Sequence, residues 1–400
     1  MPRSGWRKSE SDRRLPDLVS VGLLMKVFSA EVVDAVIAEC GRTEKRYRSL
    51  PARSMAYLAM GMALHSEGSY EDVLALISDG LAWADRQEGS SKLANKAAIS
   101  HARSRLGPEP MARLFEKVAT PIAGRDTQGC WLAGRRLVAV DGTCLDLPDT
   151  PANDEHFGRP GVMKGERSAF PQARVVALAE CGTHAMFEAV IGAYTTSEPA
   201  LSLDLLGRLC AGMLCLADRG FYSFKAWEKV CGTGADLLWR VKSSLRLDPV
   251  QDLPDGSFLA DVFDSVADKR REHPVRVRVI SYTIEDGRDR AGPYRLITTL
   301  LDHREAPAAE LAGAYAQRWE IETSLDELKT HQRGARAVLR SKSPGLVIQE
   351  IWGHLCCHYA IRTLMFDAAE HAGHDPDRVS FVAALRISRR SIAQQGAFPP

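Results

Sequence analysis

Two runs of wholly apolar residues, Leu137-Val138-Ala139-Val140 and Met213-Leu214-Cys215-Leu216-Ala217, each stop at an aspartate, Asp141 and Asp218. Runs this short and apolar read as buried strands, and Asp141-Gly142 reads as the turn that ends the first. Arg174 to Glu180 and Ala185 to Ala193 are two further strands, joined as a hairpin by Cys181-Gly182-Thr183. Pro199 to Cys210 carries a helical apolar period, and Asp236 to Val241 is again strand-like. The chain must therefore build an α/β sheet that delivers acids at strand ends, a common place for ligands and catalytic groups in such sheets.

The surrounding segments are of other kinds. Residues 1 to about 125 read as helical: Val32, Val33, Val36 and Ile37 recur at helical spacing, and Met55–Leu64 and Tyr70–Trp83 are similarly amphipathic. Ser90 or Ser91 can cap a helix that runs to Leu106 and is stopped by Gly107-Pro108. Between about 243 and 300, Ser257–Phe263, Val275–Ile284 and Tyr294–Leu300 are β-like and suggest an all-β insertion. One long helix is expected from Ala306 to about Gln332, then a helical tail from Ser343. The expected division is a helical N-terminal DNA-binding domain over 1–125, a catalytic domain over 126–335 and a helical C-terminal region over 336–400. Strand, strand, strand, helix, strand, with acids after the first and fourth strands, is the order of a ribonuclease-H-like domain.

On the expected long helix, Tyr315, Arg318, Glu322 and Lys329 fall at about 0°, −60°, −20° and −40° around the axis, one polar arc. Ile321, Leu325 and Leu328 lie beside it and can face a core. A carboxylate flanked by a phenol, a guanidinium and an ammonium suits a metal-bound phosphodiester, the acid holding the cation and the bases the phosphate oxygens. Each piece alone has a plainer reading. Arg318–Glu322 can be an exposed i,i+4 pair, and Asp141 an Asx-turn residue. Trp319 reads either as core or as a surface on which a base stacks. The three acids taken together in these topological slots are hard to explain as turns and surface charge.

The net charge of +1 hides a local asymmetry. Gly89 to Pro108 holds Lys92, Lys96, Arg103 and Arg105 without an acid, and beyond Asp377 Arg378, Arg386, Arg389 and Arg390 follow without one. Phosphate binding needs local positive charge, so the Gly89–Pro108 helix is a candidate DNA-backbone contact; the alternative is a solvated basic face. Nine cysteines, an odd number with no C-x-x-C pair, suggest neither a disulfide framework nor a thiolate zinc site and fit a reducing cytoplasm. No apolar stretch is long enough to span a membrane, and Met1–Arg14 lacks a signal-peptide core. His354 and His358 stand at i and i+4 among Ile351, Leu355 and Ile361, which favours a core reading over a metal site.

Together these motifs resemble the cut-and-paste bacterial transposases of the insertion-sequence-four type, within the DDE superfamily. That family's signature helix is Tyr, two residues, Arg, three residues, Glu, six residues, Lys; Tyr315, Arg318, Glu322 and Lys329 match it without a gap, and Trp319 matches too. Val140-Asp141-Gly142-Thr143 and Ala217-Asp218-Arg219-Gly220-Phe221 match its two aspartate motifs. The resemblance implies Asp141, Asp218 and Glu322 as catalytic metal ligands, with Tyr315, Arg318, Trp319 and Lys329 on DNA. It implies two Mg²⁺ ions, with Mn²⁺ as a substitute, and three carboxylates without His or Cys argue against zinc. It further implies strand cleavage at element ends, a hairpin intermediate, strand transfer to target DNA, a homodimer in the DNA complex and a cytoplasmic, nucleoid-associated enzyme. Relatives commonly continue into an Arg/Lys-rich C-terminal segment, whereas this sequence reads Phe398-Pro399-Pro400 there. Two other readings are a catalytically silent or truncated DNA-binding relative and a structure-specific nuclease on the same fold. The first would show a lost acid, and the second has no use for the Tyr/Arg/Lys frame.

Overall fold

The computed structural model describes residues 15–46, 48–84, 94–161, 168–264, 272–283, 294–334 and 338–389. It is a mixed α/β chain with helical N- and C-terminal parts and one large central sheet. Where the sequence suggests three successive domains, the chain gathers into two compact units. One takes residues up to Ala119, Glu327–His371 and those from Val379 onward; the other takes Thr120–Asp326 and Ala372–Arg378.

The first unit is helical: α1 (Leu15–Val27), α2 (Ala30–Glu39), α3 (Ala52–Leu64), α4 (Tyr70–Ala84), α5 (Lys96–Leu106) and α6 (Glu109–Val118), with α12 (Pro344–Ala372) and α13 (Phe381–Arg389). Contrary to an amphipathic reading, α3 is buried on every side from Met55 to Leu64. A helix apolar all round belongs in a core. α12 comes so close to it that a Cβ on Gly353 would stand 2.4 Å from the Ala59 carbonyl oxygen, so only glycine fits there. α5 starts at Lys96, capped by the Asn95 side chain on the Ala98 amide, and ends at Gly107 with φ 75°. Ser90 and Ser91, the expected caps, lie outside the described residues.

In the second unit the strands are β1 (Trp131–Leu132), β2 (Arg135–Asp146), β3 (Gln172–Glu180), β4 (Met186–Ala193), β5 (Met213–Ala217), β6 (Asp236–Arg240), β7 (Pro249–Asp252), β8 (Phe258–Val262), β9 (Val275–Tyr282) and β10 (Tyr294–Thr298). They form a single sheet in the order β4-β3-β2-β5-β6-β10-β9-β8-β7, with β1 paired to β2. β2, β5 and β6 run parallel, and the remaining pairs are antiparallel. The β-rich stretch after residue 243 therefore extends the same sheet, since β10 pairs with β6 at Ile297↔Trp239. Helices α7 (Pro151–Phe157), α8 (Glu198–Leu206) and α9 (Phe224–Cys231) flank it. Under α9, Trp227 packs edge-to-face on Trp239 of β6 at 5.5 Å, in a core that also takes Val140, Val176, Cys215 and Ala217.

The expected single helix from Ala306 to Gln332 is three pieces: α10 (Ala308–Ala316), α11 (Trp319–Asp326) and a π-helical turn, Glu327–His331. Between α10 and α11 the hydrogen bonds shorten to i→i+3: Gln317 to Ala314, Arg318 to Tyr315 and Glu320 to Gln317. After α11 they lengthen to i→i+5, with the Gln332 amide on the Glu327 carbonyl at 2.8 Å. Neither turn keeps the 100° step of an α-helix, so the single polar arc read from the sequence does not survive.

Candidate active site

β2 does not end at Asp141. It continues through Gly142 to Asp146, with Asp141 paired to Ala177 and Gly142 to Val176 of β3, so the Asx-turn reading is set aside. What ends at Val140 is the parallel pairing with β5, whose last partner is Ala217. The next residue on each strand is the aspartate. Adjacent strands lie about 4.8 Å apart, so the register sets Asp141 and Asp218 next to each other just past the end of the parallel pairing, Asp141 within β2 and Asp218 directly after β5.

α11 packs on β2 and β3 and brings Glu322 to the same place. The link is Arg318, whose guanidinium lies 2.8 Å from Glu322 and 3.7 Å from Asp141 while its side chain is 6% exposed. Burial pushes the Asp141 carboxyl up to about 6, with Glu322 and Glu198 adding to the rise against the Gly142 amide and Arg318. On the other side, Arg240 at the end of β6 stands 3.6 Å from Asp218 and stacks on Tyr294 at 4.0 Å.

Several expected contacts fall elsewhere. Tyr315 is buried, its hydroxyl donating to the Ala217 carbonyl at 3.4 Å, where it supports the strand end that carries Asp218. Burial pushes its phenol well above the ordinary range. Arg318 is buried between two carboxylates, bonded to Glu322 and 3.7 Å from Asp141, while its Nε is shut off from solvent and has no hydrogen-bond partner. Trp319 is 55% exposed, which removes the core reading, and Arg318 lies over its ring at 4.6 Å. Lys329 is exposed on the π turn, in the helical unit. On α5, Lys96 is exposed and lies 5.7 Å from the Tyr70 ring; Arg105 is exposed and donates to the Leu50 carbonyl. Arg103 is 1% exposed and spends its donors on Gln349, Ser341 and the Leu346 carbonyl, so it cannot be a DNA contact. Lys92 lies outside the described residues. His354 and His358 are core, as expected; His358 is bonded to Glu327 at 3.0 Å.

Sequence reasoning misses Arg240, Glu198 and Gly142. Glu198 opens α8, its carboxylate pairs with Arg174 at 2.6 Å, and a Cβ on Gly142 would stand 3.1 Å from it. A larger residue after Asp141 would therefore press on the Glu198 side chain and move it by a few tenths of an ångström. Only the pairing of β2 with its neighbours makes this visible.

Among the described residues no group of three or more His, Cys, Asp and Glu already converges as a metal site. Arg318 takes the place between Asp141 and Glu322. The donor set nevertheless fits a hard divalent cation. It is all oxygen, and Asp218 Oδ1 is shut off from solvent and accepts no hydrogen bond.

Comparison with known proteins gives two family matches. Residues 18–116 match the insertion element 4 transposase N-terminal family, and residues 132–359 match the transposase DDE domain. Over 379 residues the chain is 29% identical to the Escherichia coli K12 transposase InsG for insertion sequence element IS4, covering 92% of this chain and 82% of that one. Over 141 residues it is 33% identical to the putative transposase InsZ of the same strain, covering 35% and 46%. Among solved structures, a piggyBac transposase synaptic complex with hairpin DNA aligns with 95% of this chain and 82% of its own, at 12% identity and a TM-score of 0.47.

Proposed function

The chain belongs to the insertion-element-four family of DDE transposases, enzymes that cleave and join DNA, and from that premise we propose that Asp141, Asp218 and Glu322 are its catalytic carboxylates. The β2–β5 register carries the assignment, because it aligns Asp141 with Asp218 on neighbouring parallel strands while Arg318 ties Asp141 to Glu322. In this reading the strands β4-β3-β2-β5-β6 are a ribonuclease-H-like core, extended at one edge by β10 to β7.

The three carboxylates would hold Mg²⁺, or Mn²⁺ in its place, as a pair of ions that activate the attacking oxygen and stabilise the leaving one. Arg318 holds Glu322 toward Asp141 and offsets like charge in a half-buried place. Tyr315 fixes the strand end behind Asp218 through the Ala217 carbonyl. Arg240 faces Asp218 from the next strand and would hold a phosphate oxygen beside that carboxylate. Trp319, exposed beside Arg318, offers a face on which an extruded base can stack. Lys329 and the exposed Lys96 and Arg105 supply phosphate contacts, and the N-terminal helices carry the element-end DNA. The products are a nicked end bearing a 3′-OH, a hairpin made by that hydroxyl on the opposite strand, and the end joined to target DNA by a homodimer. Among the described residues no helix is long and apolar enough to cross a membrane.

The test is a labelled element-end duplex incubated with Mg²⁺. Asp141→Asn, Asp218→Asn and Glu322→Gln should each abolish nicking and leave DNA affinity within a few-fold of wild type. A variant that nicks at the wild-type rate removes its residue from the assignment.

A further inference from the structure

α11 is only eight residues long, entered through a tight i→i+3 turn and left through a π turn. Its buried stripe is Ile321, Ser324 and Leu325. At about 100° per residue, Glu320 and Glu322 stand on opposite flanks of that stripe. Glu322 faces Arg318 and Asp141, so what holds Glu320 decides how far Glu322 is turned toward them.

Glu320 is held by the turn between β3 and β4. The Gly182 amide donates to its carboxylate, and the His184 ring lies 3.6 Å away. One turn along the same flank, the Ser324 hydroxyl shares its proton between the Glu320 carbonyl of its own helix at 2.9 Å and the His184 carbonyl at 3.2 Å. The Cys181 thiol lies 3.9 Å from the Gln317 carbonyl, at the entry to α11.

The turn itself is rigid. Gly182 has φ 80°, and a Cβ there would meet Cys130 Sγ at 2.6 Å and the Gln128 carbonyl at 2.8 Å. His184 has φ 58°, rarely adopted by a residue with a side chain, and its ring is gripped by Asp377 at 2.9 Å. Below it, the wholly buried Glu180 accepts from Thr183 at 2.7 Å and pairs with Arg136. A strained, buried turn whose outward donor and acceptor both face one flank of α11 has the form of a positioning device.

We propose that Glu320, supported by the Cys181–His184 turn and by Asp377, is a positioning residue that sets the roll of α11 and so the approach of Glu322 to Asp141. This rests on Glu322 being a metal ligand. A carboxylate tip about 6 Å from the helix axis moves about 1 Å for a roll of about 10°, enough to matter at a reacting centre. Groups that orient metal ligands commonly alter metal affinity by about 10–100-fold when removed.

The experiment measures Mn²⁺ binding to the protein–DNA complex by electron paramagnetic resonance, beside nicking, DNA affinity and thermal melting. Glu320→Ala should raise the Mn²⁺ concentration for half-saturation about tenfold, with DNA affinity unchanged. Glu320→Gln, which keeps an oxygen for the Gly182 amide, should restore it most of the way. Ser324→Ala, a milder change on the same flank, should move it in the same direction and decides the matter should Glu320→Ala fail to fold. Unchanged half-saturation in Glu320→Ala and Ser324→Ala overturns the proposal, as does a loss that Gln does not restore. Glu322→Gln is the control: if it leaves Mn²⁺ binding intact, the metal-ligand reading fails first, whereas its loss beside an unaffected Glu320→Ala defeats this inference alone.

Discussion

Arg103 and Lys96 are both bases on one helix, and the chain's charge pattern treats them alike. The fold does not. Arg103 lies inside the helical unit, where its guanidinium bridges α5 to Gln349 and to the Ser341–Leu346 stretch, while Lys96 faces solvent. Arg103→Ala should therefore act on folding, costing about 3 kcal/mol because the groups it satisfies are left buried and unpaired. Lys96→Ala with Arg105→Ala should leave melting nearly unchanged and lower the log–log salt slope of DNA binding by about 0.9 for each phosphate no longer neutralised. Urea melts and filter binding over a salt series separate the two. A full slope change from Arg103→Ala with unaltered stability would restore it as a surface group on DNA. Charge is legible in sequence; burial of one base among several is decided by which helix covers it, and Gln349 of α12 stands 246 residues away in the chain.

At the scale of elements, strands are easier to read than the helix that matters most. Met213–Ala217 appears as expected because five apolar residues between turn signals leave few alternatives. β2 runs on past Asp141 because β3 pairs with it beyond the end of β5, which no local signal at Asp141-Gly142 reveals. β7 and the short α9 escape a reading of the sequence for the related reason that neither carries a long period. The helix around Glu322 reads as continuous because Gln317, Arg318 and Glu327 are all good helix formers, and its two irregular turns are imposed by what surrounds it. The break has a functional consequence. Glu322 sits on α11, whereas Lys329 sits on the π turn with an exposed side chain, so removing Lys329 should not disturb the carboxylates. Lys329→Ala is then expected to reduce hairpin formation and end joining at least about tenfold more than first-strand nicking, since those later steps depend on holding a second phosphate in place. Denaturing gels that resolve nick, hairpin and joined product give the ratio. Equal losses in all three products would mean that Lys329 serves binding in general and not the later steps, and wild-type protein that only nicks would favour a nuclease.

Over the whole molecule, the two units carry oppositely perturbed groups. In the sheet unit burial raises Asp141 to about 6. In the helical unit burial lowers His65 to about 4, helped by Arg389, and lowers His354 to about 4. Burial works to raise Glu327 as well, but the His358 hydrogen bond and the Arg362 guanidinium overcome it and hold the carboxyl at about 2. For each of these three groups the unfolded chain takes up a proton at a higher pH than the folded one, so stability falls as pH falls. The histidines act between about 6.5 and 4, where the unfolded state is protonated and the buried rings are not. Glu327 acts between about 4.5 and 2, where its buried pair is lost on protonation. Each group is worth on the order of 3 kcal/mol across its window. Hydrogen exchange read by mass spectrometry resolves the units. After correction for intrinsic rates, amides of α3 and α12 should exchange faster at pH 5 than at pH 7, whereas those of β2 should show no such loss, because Asp141, raised to about 6, takes up its proton more readily folded than unfolded and so favours the folded sheet as pH falls. His354→Leu, which places an apolar side chain of similar reach in the same core, should flatten the decline between pH 6.5 and 4. Protection in α12 that is the same at both pH values, or a decline that His354→Leu leaves untouched, would show that these rings are not what couples the helical unit to acid.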